Sequence, residues 1–117
     1  MNGIEQETID GCAVIRLQGE VDLSWSQQVR DAVLAALGKN ARVGVELSDV
    51  SYIDSSGIAA LVEGFQHARS KGTGFALVAV SDAVRAVLEL ARLDRVFPIV
   101  ATVQDVPATT SVPATKP

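Results

Sequence analysis

The chain has 117 residues, 48% of them hydrophobic and 21% charged, the composition of one globular domain that buries a core without cross-links and is short for two. Ten basic residues against fourteen acidic ones give a net charge of −4, which argues against direct binding to nucleic acid, a task that needs a net-positive face. A single cysteine, Cys12, and a single histidine, His67, exclude an internal disulfide and the cysteine- or histidine-rich metal sites.

Ile4 to Ile9 alternates weakly and reads as a first, edge strand, and Asp10-Gly11 is a hairpin-turn dipeptide. Cys12 to Gln18 follows as a strand with Ala13, Ile15 and Leu17 on one face; Cys12, Val14, Arg16 and Gln18 share the other, which is therefore partly wet. Gly19-Glu20-Val21-Asp22 leaves the strand. Ser24 and Gln27 have capping-box spacing ahead of a helix with Val29, Val33, Ala36 and Leu37 inward, and Gly38 suits its C-cap. Val43, Val45 and Leu47 alternate as a third strand, and Ser48 to Asp54 reads as a loop. A second helix from about Ser55 carries Ile58, Leu61, Val62 and Phe65 at i, i+3, i+4, i+7 and stops at Gly72.

Phe75 to Val80 is continuously apolar, the mark of a central strand. Ser81 caps a third helix with Val84, Val87, Leu88 and Ala91 inward. Val96 to Val100 makes a last short strand, kept at an edge or cut short by Pro98. The order β-β-α-β-α-β-α-β predicts an α/β fold: a mixed sheet of about five strands, with parallel crossovers, an antiparallel hairpin at the start, and helices mainly on one face. The domain is expected to span residues 1–100. Residues 101–117, rich in Pro, Thr and Ala and without periodicity, are expected to form a disordered or loosely docked tail.

Catalytic constellations are missing from the sequence. It contains no P-loop and no nucleophile elbow, and Gly72-Thr73-Gly74 precedes a strand, which breaks a dinucleotide fingerprint. Ser55 and His67 on one helix stand roughly 18 Å apart at about 1.5 Å per residue, too far for a dyad. Cys12, inside a strand, reads as a small packed residue. Glu20, Asp22, Asp49 and Asp54 gather at strand ends, where a receiver-type magnesium site would also want a lysine after a late strand; none lies between Gly72 and Lys116. These acids read as turn and cap residues. The expectation is a protein that is not an enzyme and holds no metal or cofactor. No apolar run approaches the ~18 residues of a membrane span, and Met1 to Glu5 lacks the features of a secretory leader, so no membrane insertion and a cytoplasmic location are expected.

The run Ser51-Tyr52-Ile53-Asp54-Ser55-Ser56-Gly57-Ile58 leaves a strand and opens a helix. Asp54, Ser55 and Ser56 can each accept from the free N–H groups of a first helical turn. One cap needs only one of them. Two adjacent hydroxyls and a glycine leave an exposed serine at a positive helix end, a place that favours a phosphate.

Glu46 to Leu61, ELSDVSYIDSSGIAAL, resembles the signature of the STAS domain of bacterial anti-anti-sigma factors (anti-sigma factor antagonists), D-L-S-x-V-x-x-[IM]-D-S-[ST]-G-[IL]. Gly19-Glu20-Val21-Asp22 resembles the family's G-x-[LIV]-D motif, and Val80 to Glu89 its third-helix region, so three motifs match in order over roughly the first hundred residues. Glu46 stands where the family commonly has Asp, and the tail matches nothing. The resemblance implies partner switching. The unphosphorylated protein binds an anti-sigma factor that is also an ATP-dependent serine kinase, and so frees a sigma factor. The kinase phosphorylates its antagonist and releases itself, and a serine phosphatase resets the cycle. The modified serine follows the aspartate and is here Ser55. Asp22, Asp54, Ser56 and Gly57 match the partner-facing surface, with Gly57 letting the partner approach the helix start. The free form is expected to be a monomer. The alternative implied by the family is a non-catalytic STAS subunit of a bacterial ABC-type lipid transport complex, in which no phosphorylation is needed.

Overall fold

The computed structural model describes residues 2–110. Asp10 and Gly11 both take positive φ, 51° and 77°, as a two-residue hairpin turn requires. They fold β1 (Gly3–Ile9) back on β2 (Cys12–Val21) antiparallel, with Ile9 opposite Cys12. From there strands and helices alternate: α1 (Ser26–Leu37), β3 (Arg42–Ile53), α2 (Ser55–Lys71), β4 (Gly74–Val78), α3 (Asp82–Leu90) and β5 (Ile99–Val100). A 3-10 turn at Val103–Asp105 follows. The strands lie in the sheet in chain order, β1-β2-β3-β4-β5, and β2 to β5 are parallel. Parallel crossovers are right-handed, so a sheet built in chain order carries all its crossover helices on one face. The predicted five-strand mixed sheet with one helical layer is the fold observed.

The main core lies under that layer. Alternate residues of the strands, among them Ile15, Leu17, Val43, Val45, Phe75 and Leu77, meet Val29 and Val33 of α1, Leu61 and Phe65 of α2, and Val84 and Leu88 of α3. The Phe65 ring sits 6.1 Å from that of Phe75 and 5.5 Å from that of Phe97, tilted against both, the offset geometry aromatic pairs prefer. A Cβ on Gly64 would stand 2.6 Å from Val33 Cγ1, so α1 and α2 touch where α2 has no side chain. Gly72, at φ 73°, closes α2 with a left-handed turn. The Ser81 hydroxyl accepts from Val84 N at 3.2 Å and donates to the Val50 carbonyl at 2.7 Å, which ties the start of α3 to β3.

The structure departs from the sequence expectations at several places. β3 runs on through residues expected to be a loop, to Ile53. Its register against β2 slips twice: Arg16 faces Glu46 but Gln18 faces Asp49, and Gly19 faces Val50 but Glu20 faces Tyr52. Each slip is a bulge with one extra residue on β3. Leu47, Val50 and Ile53 are buried with two exposed residues between each pair. The apolar spacing there is three, which hides a strand from a search for period two. At the start of α1, Ser24 is not the cap. Its hydroxyl and amide bind Asp22 Oδ1, at 2.6 and 3.1 Å, and the helix begins two residues later behind Trp25. Ala91, expected inward, is the exposed C-cap of α3, and β5 is reduced to two residues behind Pro98.

The second face of the sheet has two halves. Near β1 it is polar: Arg16 pairs with Glu46 and, at 2.8 Å, with Glu7. Near β4 it is apolar, and residues 101–110, expected to be tail, lie over it. Val106 packs on Cys12, Ala76 and Val78 and is 4% exposed. The Arg42 guanidinium donates to the carbonyls of Val106 and Val103, and the Thr110 amide donates to the Thr73 carbonyl at 3.1 Å. An apolar half-face with no helix over it needs a cover, and Val106, with Val103 beside it, the buried Thr110 and backbone hydrogen bonds, supplies one without any periodicity in the sequence. Of the two expected states, residues 101–110 take the docked one in this structure; residues 111–117 lie outside the described residues.

Candidate functional site

The carboxyl ends of β2 and β3 come together where Val21 pairs with Ile53, and the Asp54 amide donates to the Val21 carbonyl at 3.2 Å. This pairing sets Asp22 and Asp54 beside each other at one end of the sheet. Asp54 is the N-cap of α2, in extended backbone (φ −106°, ψ −173°). Its Oδ1 accepts from the amides of Ser56 and Gly57 at 2.9 and 3.1 Å and from the Ser56 hydroxyl at 2.6 Å. These hydrogen bonds, the Ser56 hydroxyl foremost, hold the Asp54 carboxyl below the usual carboxylate range; the Leu23 amide adds to them. The carboxylate thereby closes the first turn of α2.

Ser55, the first residue of α2, is exposed. Ser56 is half-buried, and its hydroxyl is held by Asp54. The sequence allowed Asp54, Ser55 or Ser56 to be the cap; the structure gives that role to Asp54 and leaves Ser55 facing solvent. Asp22 spends one carboxylate oxygen on Ser24 and its carbonyl on the amides of Trp25 and Ser26, so it shapes the turn into α1.

Gly57 is placed by packing within the chain. It is buried, and a Cβ there would stand 2.7 Å from Ile53 Cγ1 and 2.8 Å from both Val21 Cγ1 and the Val21 carbonyl. The missing side chain lets α2 sit against its own β2–β3 end.

Two large exposed apolar side chains that sequence reasoning passed over lie in the segments that lead to the two aspartates: Leu23, 77% exposed, directly after Asp22, and Tyr52, 50% exposed, two residues before Asp54. Leu23 follows Asp22 and shares its turn. Tyr52 is exposed because the second bulge turns it outward, a signal carried by the spacing of Leu47, Val50 and Ile53. Among the described residues, no three acidic, histidine or cysteine side chains converge as metal ligands, and no helix is long and apolar enough to cross a membrane. An open depression lined by Glu89, Arg92, Asp94 and Arg95 lies at the opposite end of α3 from its Ser81 cap.

An α/β sheet with one helical layer, and an exposed serine opening its second helix behind a capping aspartate, define the class of domain. The particular family follows from comparison: the STAS domain model matches residues 3–106, and the chain belongs to the STAS domain family. It is 28% identical over 98 residues to an anti-sigma F factor antagonist of Paenibacillus polymyxa, covering 82% of this chain and 84% of that protein. The crystal structure of an anti-sigma factor antagonist from Mycobacterium paratuberculosis superimposes with a TM-score of 0.79 at 27% identity, over 90% of each chain. An anti-sigma-factor antagonist (STAS) domain protein from Planctomyces limnophilus does so with a TM-score of 0.68 at 27% identity, over 87% of this chain and 92% of that one.

Proposed function

We propose that this chain is an anti-sigma factor antagonist that works by partner switching. In this reading the unphosphorylated form, a cytoplasmic monomer that neither binds nucleic acid nor enters a membrane, binds an anti-sigma factor with serine-kinase activity and frees the sigma factor. Phosphorylation of Ser55 ends the complex, and a serine phosphatase restores it. The chain itself catalyses nothing. The names of its relatives support the general role. The observation that carries the finer reading is the exposed Ser55 directly behind a carboxylate that has already taken the first amides of the helix.

That arrangement alters the effect expected of a phosphate. A bare helix start would offer its N–H groups to the new charge. Here Asp54 occupies the amides of Ser56 and Gly57. A phosphate on Ser55 brings about 1.5–2 negative charges beside two carboxylates and finds those donors spent. The helix dipole still tolerates it, so the domain stays folded. A partner shaped for a neutral hydroxyl meets a dianion it cannot pair, and affinity falls by orders of magnitude. Leu23 and Tyr52 supply apolar area to the same contact surface, and Asp22, Asp54 and Ser56 its polar rim.

The test is incubation with the cognate kinase and ATP, followed by mass spectrometry and a binding assay. Phosphate is expected on Ser55. Ser55→Ala binds the kinase and is not released by ATP, whereas Ser55→Asp folds and binds weakly. Phosphate on Ser56 alone, or on neither serine, overturns the assignment and favours a transport-complex subunit instead.

A further inference from the structure

We propose that residues 103–110 form a latch that opens without the rest of the domain, and that its docking is what keeps Cys12 from reacting. The thiol is fully buried. It lies on the face of the sheet without helices, under Val106, beside Ala76 and Val78. The latch has one main clasp. Arg42 gives all three guanidinium nitrogens to backbone carbonyls, of Val106, Val103 and Asp10, each at 3.2 Å. Gln104 adds a hydrogen bond to Asp10 at 3.1 Å, and the Thr110 amide one to Thr73. The sheet beneath provides a bed for the segment: Gly44 and Gly74 have no side chains on this face. A Cβ on Gly44 would stand 3.2 Å from Val106 Cγ2, and one on Gly74 would collide with the Pro107 carbonyl.

The fastening is local. It consists of one arginine, a few exposed or half-buried hydrogen bonds, the buried side chains of Val106 and Thr110 and the half-buried Val103, while the strands below are held from the other side by the main core. Segments with few buried apolar contacts open at far lower free energy than the whole domain. Docked, the thiol sits in an apolar cover and is inert. Released, it faces water next to the Arg42 cation, which favours the thiolate. The thiolate then attacks a small disulfide: one S–S bond breaks, a mixed disulfide forms at Cys12, and the displaced sulfur leaves as a thiolate.

The test uses the full chain and an aromatic disulfide reagent whose released thiolate is coloured. In the unaltered chain, Cys12 is expected to react slowly, at a rate that does not change with urea below the unfolding transition, the signature of local opening. Gly74→Ala places a methyl group only against the latch, and is expected to speed the reaction about tenfold or more with an unchanged far-UV circular dichroism spectrum. Arg16→Gln, on the polar half of the same face, leaves the rate unchanged. The proposal is overturned if the rate in the unaltered chain climbs with urea in step with global unfolding from the lowest concentrations. It is equally overturned if folded Gly74→Ala reacts no faster. Neither outcome involves Ser55, so the proposed function stands or falls separately.

Discussion

The two faces of the sheet are held in different ways. The helix face is a continuous apolar layer in which every helix contributes buried residues and aromatic rings interlock around Phe65. The other face is divided between a charged half, centred on Arg16, and an apolar half closed by a latch. Stability is concentrated on the first face. The proposed opening of the latch rearranges the second face while the strands stay packed against the helices on the first.

Paired truncations give the largest contrast. Phe75→Ala removes a fully buried ring from the helix face and is expected to cost about 3–5 kcal/mol in urea unfolding. Val106→Ala is expected to cost at most about 1.5–2 kcal/mol. Its loss is also capped, because once the latch has left the sheet there is nothing further to lose. Equal losses at the two sites would erase the distinction between the faces.

Charge distinguishes them next. On the helix side, Asp54 holds the start of α2 with a carboxyl whose folded value lies below its unfolded one. Its contribution is therefore full above the unfolded value of about 3.9 and disappears as pH falls through the lowered folded value. Asp54→Asn keeps an acceptor for the two amides and abolishes this titration. The variant is expected to be less stable than the parent at pH 7 and to converge with it in acid, measured as urea midpoints from pH 7 down to about pH 2.5. A constant gap across that range would show that the carboxylate charge has no part in the cap.

The smallest effect is expected on the polar half-face. Glu46 and Glu7 keep the Arg16 guanidinium firmly protonated, but Arg16 and Glu7 remain partly in water. Arg16→Gln is expected to cost about 1 kcal/mol or less, and the difference to shrink in salt. A larger, salt-independent loss would make this half of the face a structural core in its own right.

The sequence disclosed the helix side far better than the other. Its strands and helices bury residues at spacings of two and three to four, and the period alone places Ile15, Leu61 or Leu88 in the core. The end of β3 was illegible because two bulges convert its period to three. The latch was illegible because a valine between prolines and threonines has no period, and its partner Arg42 reads as an ordinary strand residue. At the site, the motif around Ser55 stood out in the sequence, but the division of labour did not. Which of three adjacent acceptors caps the helix depends on where β3 stops. That Gly57 serves the chain's own packing depends on Val21, a contact distant in sequence. Leu23 and Tyr52 escaped notice because a single apolar residue near a turn is ordinary until its exposure is known.

Strand order that follows chain order has a consequence for biosynthesis. A growing chain emerges from its N-terminus and adds structure as it does so. Each new strand of this sheet docks on the one made before it, and no strand waits to be inserted between two already paired. Residues 103–110 emerge only after the whole sheet they cover. Until they dock, the apolar half-face and the thiol of Cys12 stay uncovered on an otherwise complete sheet.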